Sequence, residues 1–160
     1  MKINYQSLEK KIDLKFKNKD LLVQALTHKS FNPNENNEKI EFLGDRVLGL
    51  VIAKKLLEIY PGEKEGILDK KFASLVNKKT CLDIAKKINL ASYVKTFNPN
   101  NKKIKIEDKI ISDSCEALIG AIYLDKGLQT VEKIILSLWA DKIKDSAVKA
   151  CSPPDNRVID

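Results

Sequence analysis

The sequence predicts an all-α fold. Only six glycines and five prolines occur among 160 residues, and apolar residues recur at intervals of three and four throughout the chain. The alternation of apolar and polar residues that is typical of strands is absent. The length and the 43% content of hydrophobic residues fit one globular domain.

Seven helices are predicted in order. Asn18 is a suitable N-cap for the second helix, the Pro61-Gly62 pair ends the long third helix, and Gly127 separates the last two. A loop rich in asparagine and lysine is expected at residues 98–105. We place one domain at residues 1–148 and a disordered tail at 149–160. The helices are expected at about residues 5–14, 18–27, 38–59, 67–77, 80–88, 107–124 and 130–144.

The charge of the chain favours a polyanionic partner. Lysines and arginines number 29 against 22 acids, for a net charge of +7. Only Arg46 and Arg157 are arginines, so contact with a phosphate backbone is favoured over reading of base edges. Clusters of lysines that could contact phosphates occur as pairs at residues 54–55, 70–71, 78–79 and 86–87 and as a group of three at 102–105.

The cysteine pattern and the hydropathy exclude several classes of protein. Cys81, Cys115 and Cys151 are widely spaced and form no C-x-x-C pair, which argues against a disulfide framework and a zinc site. We expect free thiols. The sequence contains neither a membrane-spanning segment nor a secretory signal, so we expect a cytoplasmic location and no contact with a membrane.

The third predicted helix carries acids among apolar residues. At about 100° per residue, Glu38, Glu41 and Asp45 lie within roughly a 60° arc. The same face also carries Phe42 and Gly49, so it is not an ordinary solvated face. Ile40, Leu43, Val47, Leu50 and Val51 occupy the opposite side.

The helix predicted at 107–124 shows the same anomaly, because Asp113 and Glu116 are the only charges between residues 113 and 124. Converging carboxylates repel one another unless a cation or shared protons compensate. Oxygen ligands without histidine or cysteine suit Mg²⁺ or Mn²⁺. Pairing of these acids with lysines on partly exposed faces is the alternative. Because Gly49 and Gly120 each follow an acid by four residues, we expect them to let the two helices approach closely.

Residues 37–48, NEKIEFLGDRVL, closely resemble the hallmark motif of the ribonuclease III family, N-E-x-hydrophobic-E-F-L-G-D-x-hydrophobic-L. The resemblance continues in register, and residues from about 5 to 140 resemble one complete bacterial-type endonuclease domain. The further matching segments are ALTHKS at 25–30, Pro61, Glu65-Gly66, LVN at 75–77 and DSCEALIGAIYLD at 113–125.

This resemblance implies an all-α twofold homodimer that hydrolyses double-stranded RNA with Mg²⁺, for which Mn²⁺ can substitute, and leaves 5′-phosphate and 3′-hydroxyl ends. Processing of rRNA and mRNA precursors is the implied role. Carried over by position, the metal ligands are Glu41, Asp113 and Glu116. Asp45 and Glu116 are the implied catalytic residues, and Glu38 and Glu65 match secondary acidic positions that contact RNA or shape the cleft.

Two further residues near these motifs are ambiguous. His28, the only histidine, is expected to be structural or adjacent to RNA rather than catalytic. Phe42 is expected either to pack across the twofold axis or to join the core of its own chain. The double-stranded-RNA-binding domain that usually follows in bacterial members does not match any part of this sequence. We therefore expect a naturally short form, like the Mini-III ribonucleases, or a truncated product.

Two other functions remain as alternatives. One is a double-stranded-RNA binder or truncated form without turnover, against which the intact set of acids argues. The other is an all-α nucleoside triphosphate pyrophosphatase, a class that also holds Mg²⁺ with acid pairs on helices. Those pairs usually lie close in sequence, whereas Glu41 and Asp113 are far apart.

Overall fold

The computed structural model describes residues 2–100 and 105–150, with side chains as far as residue 147. Within these ranges the chain forms eight α-helices and one short 3-10 helix, and the prediction of an all-α fold is confirmed. The helices are α1 (Tyr5–Lys11), α2 (Lys19–Ala25), α3 (Glu38–Ile59), α4 (Glu65–Val76), α5 (Lys78–Lys87), the 3-10 helix (Leu90–Tyr93), α6 (Asp108–Lys126), α7 (Leu128–Leu138) and α8 (Ala140–Ala150).

Helix α6 is the centre of the core. Every residue of its segment 111–122 is buried, including the two acids and two serines. Helices α2, α3, α5 and α7 all pack against it, with α3 making the most extensive contact. A helix that is buried on all sides supplies a rigid platform for the polar side chains that it carries.

Local sequence signals account for most helix boundaries. Asn18 caps α2, its Oδ1 accepting a hydrogen bond from the Leu21 N–H at 3.3 Å. Helix α3 occupies the predicted range and ends just before the Pro61-Gly62 pair. Gly127 has a φ of +87°, a conformation that favours glycine, and it separates α6 from α7. Helices α1 and α2 are shorter than predicted, and α4 and α5 begin two residues earlier.

The prediction of a single last helix at 130–144 is wrong. Two helices, α7 and α8, meet at Trp139, whose side chain is completely buried and whose Nε1 donates a hydrogen bond to the Leu75 carbonyl at 2.8 Å. The interruption thus coincides with an anchored indole and involves no glycine or proline. The 3-10 helix was also unpredicted. The residue before it, Asn89, adopts the left-handed backbone conformation with a φ of 52°.

The ends of the described ranges leave two predictions open. Residues 101–104 of the predicted loop lie outside the described residues, and so do residues 151–160 of the predicted tail. The described part of the tail region, residues 149 and 150, belongs to α8. Among the helices of the described ranges, none combines the length and apolar character that crossing a bilayer requires.

Candidate active site

Helices α3 and α6 touch through backbone atoms at two glycines. A Cβ atom added to Gly44 would collide with the main-chain carbonyl of Glu116, and one added to Gly120 would collide with the carbonyl of Ile40. The expectation for Gly120 is therefore confirmed. The expectation for Gly49 is wrong, because its nearest neighbour is the Phe72 ring at an ordinary 3.4 Å, and Gly44 lies at the crossing point instead.

This close crossing brings together three of the predicted acids. Carboxylate oxygens of Glu41, Asp113 and Glu116 all lie within 4.8 Å of one another. Asp113 and Glu116 are three residues apart and share one face of α6, while Glu41 approaches from the first turn of α3. Only 2% of the Glu116 side chain is exposed. We call these three residues the carboxylate cluster.

A lysine ammonium lies at the centre of the carboxylate cluster. Lys78 is the first residue of α5, and the preceding Asn77 caps this helix by accepting the Thr80 N–H at 2.8 Å. The Lys78 Nζ contacts one oxygen of each cluster residue: Asp113 Oδ1 at 2.7 Å, Glu116 Oε2 at 2.8 Å and Glu41 Oε1 at 3.3 Å.

A second lysine contacts the cluster from its outer side. Lys109 lies one turn before Asp113 on α6, and its Nζ contacts Asp113 Oδ2 at 2.7 Å. Two ammonium groups therefore face three carboxylates. The alternative considered from sequence, that these acids pair with lysines, is thus met in part, but the acids converge on one point instead of lying along separate exposed faces.

The pKa values of the acids reflect burial and mutual repulsion. Burial raises the pKa of Glu116, the nearby charges of Asp45 and Glu41 also raise it, and Lys78 opposes the shift. Burial and the Asp113 charge raise the pKa of Glu41. Burial also acts to raise the pKa of Asp113, but hydrogen bonds from Lys109 and Lys78 outweigh it, so the net shift is downward. The site thus favours added positive charge.

The pKa of Lys78 is also shifted by its surroundings. Burial acts to lower it, but the hydrogen bonds to Asp113 and Glu116 dominate and raise the pKa above its ordinary value. Lys78 therefore remains an ammonium at neutral pH. The hypothesis that Lys78 and Lys79 are a phosphate-binding pair did not anticipate this placement, because only the packing of α5 on α6 brings Lys78 to the acids.

The other predicted acids lie around the cluster rather than in it. Asp45 is 49% exposed and pairs with Arg46 at 3.1 Å, yet it is close enough for its charge to affect Glu116. Glu38 is exposed and contacts Lys29 at 3.5 Å. Glu65 is exposed at the first position of α4. Asp45 is thus a neighbour of the cluster, whereas Glu38 and Glu65 are outlying.

The donor set of the cluster fits a hard divalent cation. Three carboxylates from two helices offer oxygen ligands at one point, and a cationic group already satisfies them there. His28 is not part of this set, because it lies in a loop with its Nδ1 2.8 Å from Ser30 Oγ. Cys81 and Cys115 are free and buried, as expected, and Cys151 lies outside the described residues.

The predicted phosphate-binding lysines differ in availability. Lys71 is buried, donates to the Ser146 carbonyl at 3.0 Å and lies 4.4 Å from the centre of the Tyr60 ring, so it is wrong to count it as a phosphate contact. Lys54 forms an exposed ion pair with Glu132 at 3.1 Å. Exposed pairs of this kind are weak and exchange readily with other anions.

The fold and the site define an all-helical protein whose central helices hold a cluster of three carboxylates. Its sequence matches the family model described as Ribonuclease-III-like over residues 18–143. Ribonuclease 3 of Pelagibacter ubique is 66% identical over 148 residues, which make up 92% of this chain and 67% of that protein. Ribonuclease 3 of Aliarcobacter butzleri is 45% identical over 137 residues, or 84% of this chain and 61% of that protein.

A solved structure gives the same result. The nuclease domain of ribonuclease III from Campylobacter jejuni aligns with a TM-score of 0.80 and 40% identity, covering 89% of this chain and 98% of that chain. The chain therefore belongs to the ribonuclease III family, as the motifs predicted. It spans about two thirds of the length of the curated relatives named above and corresponds in fold to the nuclease domain.

Proposed function

We propose that this chain is a metal-dependent endoribonuclease that hydrolyses phosphodiester bonds in double-stranded RNA and leaves 5′-phosphate and 3′-hydroxyl ends. The convergence of Glu41, Asp113 and Glu116 within 4.8 Å carries the proposal. It occurs in a chain whose relatives bear the name Ribonuclease 3. Processing of rRNA and mRNA precursors in the cytoplasm is the role that we propose for it.

The cluster is proposed to hold Mg²⁺, or Mn²⁺ in its place, through Glu41, Asp113 and Glu116. A bound ion of this kind supplies an activated water and neutralises charge on the scissile phosphate. The protein contributes the rigid positions of the three ligands, because α6 is buried on all sides and the glycine contacts fix α3 against it.

Asp45 is proposed as the fourth catalytic acid. Its charge is close enough to raise the pKa of Glu116, and its present partner is the exposed Arg46. An exposed ion pair of this type costs little to break, so the Asp45 carboxylate can turn toward the reacting phosphate and its water. Glu38 and Glu65, both exposed, are proposed to contact RNA or to shape the edges of the cleft.

The partner is proposed to be double-stranded RNA bound through its backbone. The net charge of +7 and the scarcity of arginine favour phosphate contacts over base contacts. An A-form duplex also presents its phosphates regardless of sequence. This charge pattern supports a substrate defined by shape rather than by base sequence.

We further propose that the active form is a homodimer. Phe42 is 62% exposed with the Arg46 guanidinium 4.0 Å from its ring centre, so its placement in the core of its own chain is wrong. Leu50 and Leu57 are also exposed on α3, and at about 100° per residue both lie within roughly 80° of Phe42 around the helix. In the nuclease domain of C. jejuni ribonuclease III, a structurally flexible region is involved in dimer formation. An isologous dimer places two clusters along one duplex.

The proposed function is tested by incubating the purified chain with long double-stranded RNA at low salt, with Mg²⁺ or with EDTA. Single-stranded RNA and a nucleoside triphosphate serve as parallel substrates. Fragments from the duplex alone, in the presence of Mg²⁺ alone, are expected. Hydrolysis of the triphosphate would instead favour a pyrophosphatase. Metal-independent binding of the duplex without cleavage would favour a non-catalytic binder.

A further inference from the structure

The position of Lys78 Nζ coincides with the position that a metal ion needs. The ammonium contacts one oxygen of each residue of the carboxylate cluster, at distances of 2.7, 2.8 and 3.3 Å. A Mg²⁺ ion held by the same three oxygens would need the point that the ammonium occupies. Two cations cannot share this point, because they would overlap in space and their charges repel.

The structure lets the Lys78 side chain leave the cluster. The residue is at the first position of α5, at the surface end of that helix, and 53% of its side chain is exposed. Every hydrogen bond of its ammonium in the described part of the chain goes to the cluster, so withdrawal breaks no other hydrogen bond of that group. Four rotatable bonds give the ammonium a path into solvent.

Lys109 contacts the cluster differently from Lys78. It contacts Asp113 through Oδ2, whereas Lys78 contacts Oδ1 of the same carboxylate. Lys109 therefore occupies the second oxygen of the Asp113 carboxylate and leaves Oδ1 to Lys78. Of the two lysines, only Lys78 obstructs the point where the three carboxylates meet.

We propose that Lys78 is an internal counterion that competes with the divalent metal for the carboxylate cluster. In the metal-free protein its ammonium contacts Glu41, Asp113 and Glu116 and offsets part of their negative charge. When the metal binds, Lys78 withdraws into solvent and keeps its proton. The proposal rests on the metal centre of the proposed function. The affinity for metal is then set by the attraction of the three carboxylates minus the competition from Lys78.

The consequence is a protein that folds with the repulsion among its acids reduced before metal arrives. Three carboxylates at this separation without a counterion would repel one another and lower the stability of the α3–α6 crossing. Lys78 weakens this repulsion at the expense of metal affinity. A variant without the ammonium should accordingly bind metal more tightly but be less stable in the absence of metal.

The test is calorimetric titration of Mn²⁺ into the wild-type chain and into Lys78→Met, with Lys79→Met as the matched control. Lys78→Met is expected to bind about tenfold more tightly, which corresponds to about 1.4 kcal/mol. Lys79→Met removes the same charge from the next residue and is expected to bind like the wild type. Equal or weaker binding by Lys78→Met would overturn the proposal.

Thermal unfolding of the same proteins gives a second readout. In EDTA, Lys78→Met is expected to melt below the wild type, and saturating Mg²⁺ is expected to raise its melting temperature by more than it raises that of the wild type. An equal rise in both proteins would contradict competition. Absence of metal binding by both proteins would contradict the metal centre itself and, with it, the competition.

A measurement on the wild-type chain keeps the proposal testable if Lys78→Met does not fold. The side-chain ammonium of Lys78, labelled with ¹⁵N and assigned with Lys78→Arg, is followed by NMR during addition of Mg²⁺. The resonance is expected to move to the position typical of solvated lysines as the metal binds. A resonance that stays in place at saturating Mg²⁺ would overturn the proposal.

Discussion

Gly44 on α3 lies directly against the main-chain carbonyl of Glu116 on α6, with no room for a side chain between them. The reciprocal contact of Gly120 with the Ile40 carbonyl completes the crossing. These two contacts set the separation of the helices and therefore the separation of their carboxylates. The glycines are thus part of the site, although neither contributes a functional group.

We expect Gly44→Ala to reduce the stability of the fold strongly. The added methyl group would have to displace the backbone of α6, and overpacking of this kind costs about 3 kcal/mol or more. Denaturant unfolding measures the change in free energy. Gly66→Ala is the control, since apart from the adjacent backbone of α4 no described atom lies within 4 Å of its Cβ position, and α4 should tolerate or gain from alanine. Equal effects of the two substitutions would contradict the close crossing.

We expect acid unfolding to depend on Glu9. Burial acts to raise its pKa, but hydrogen bonds from Lys19 and the Phe16 N–H, both 2.7 Å long, outweigh it and the net pKa is lowered. The stability that this carboxylate contributes is therefore present above the pKa of an unfolded glutamate, about 4.3, and is lost as the pH falls through the folded value.

Glu9→Gln tests this dependence. The variant should be less stable than the wild type at pH 7, and the difference should shrink as the pH is lowered below about 4. Denaturant unfolding at a series of pH values measures it, with substitution of the exposed Glu63 by glutamine as the control. A difference that stays constant across the series would show that Glu9 acts through packing alone.

We expect Phe42→Glu to dissociate the proposed dimer. The substitution introduces a charge into the exposed apolar side of α3, where the twofold contact is proposed. Sedimentation velocity measures the shift toward monomer. Phe97→Glu is the matched control, because Phe97 is 64% exposed but is not part of α3 and follows the 3-10 helix in the chain. Dissociation by both substitutions, or by neither, would argue against an interface at Phe42.

We expect the outlying acids, Glu38 and Glu65, to contribute less to the cleavage rate than the carboxylate cluster. Glu38→Gln and Glu65→Gln should change cleavage by less than about tenfold, since neither residue reaches the carboxylate cluster and exposed charges contribute little individually. Steady-state cleavage of a duplex at several salt concentrations measures this. A loss as large as that caused by changing a cluster residue would assign these positions to the chemistry itself.

Much of the site could be predicted because helical periodicity is fixed. Asp113 and Glu116 must share a face of any helix that contains both, and their apolar surroundings already indicated burial. The C-terminal end of α3 could likewise be predicted from the Pro61-Gly62 pair that follows it. The family motif added Glu65, which no argument from periodicity had selected.

The remainder depends on tertiary contacts that no local pattern encodes. Gly49 and Gly44 both lie on α3, and only the point at which α6 crosses distinguishes them. Lys78 belonged to one of several similar lysine pairs until the packing of α5 placed it among the acids. The break between α7 and α8 at Trp139 contains no glycine or proline that could have predicted it. What marks it is a buried indole that donates a hydrogen bond to the Leu75 carbonyl.

The most direct test of the central claim, that the carboxylate cluster is the catalytic centre, is the cleavage rate of long double-stranded RNA by Glu116→Gln in saturating Mg²⁺. RNA binding and thermal unfolding are measured on the same samples, and Glu58→Gln, on the far end of α3, is the control. We predict a folded protein that binds RNA and cleaves at least about 100-fold more slowly than the wild type. Mutation of a residue that only supports a metal ligand typically lowers activity about 10–100-fold, and Glu116 is proposed as a ligand itself. Cleavage at a rate close to that of Glu58→Gln would contradict the assignment of the carboxylate cluster as the catalytic centre.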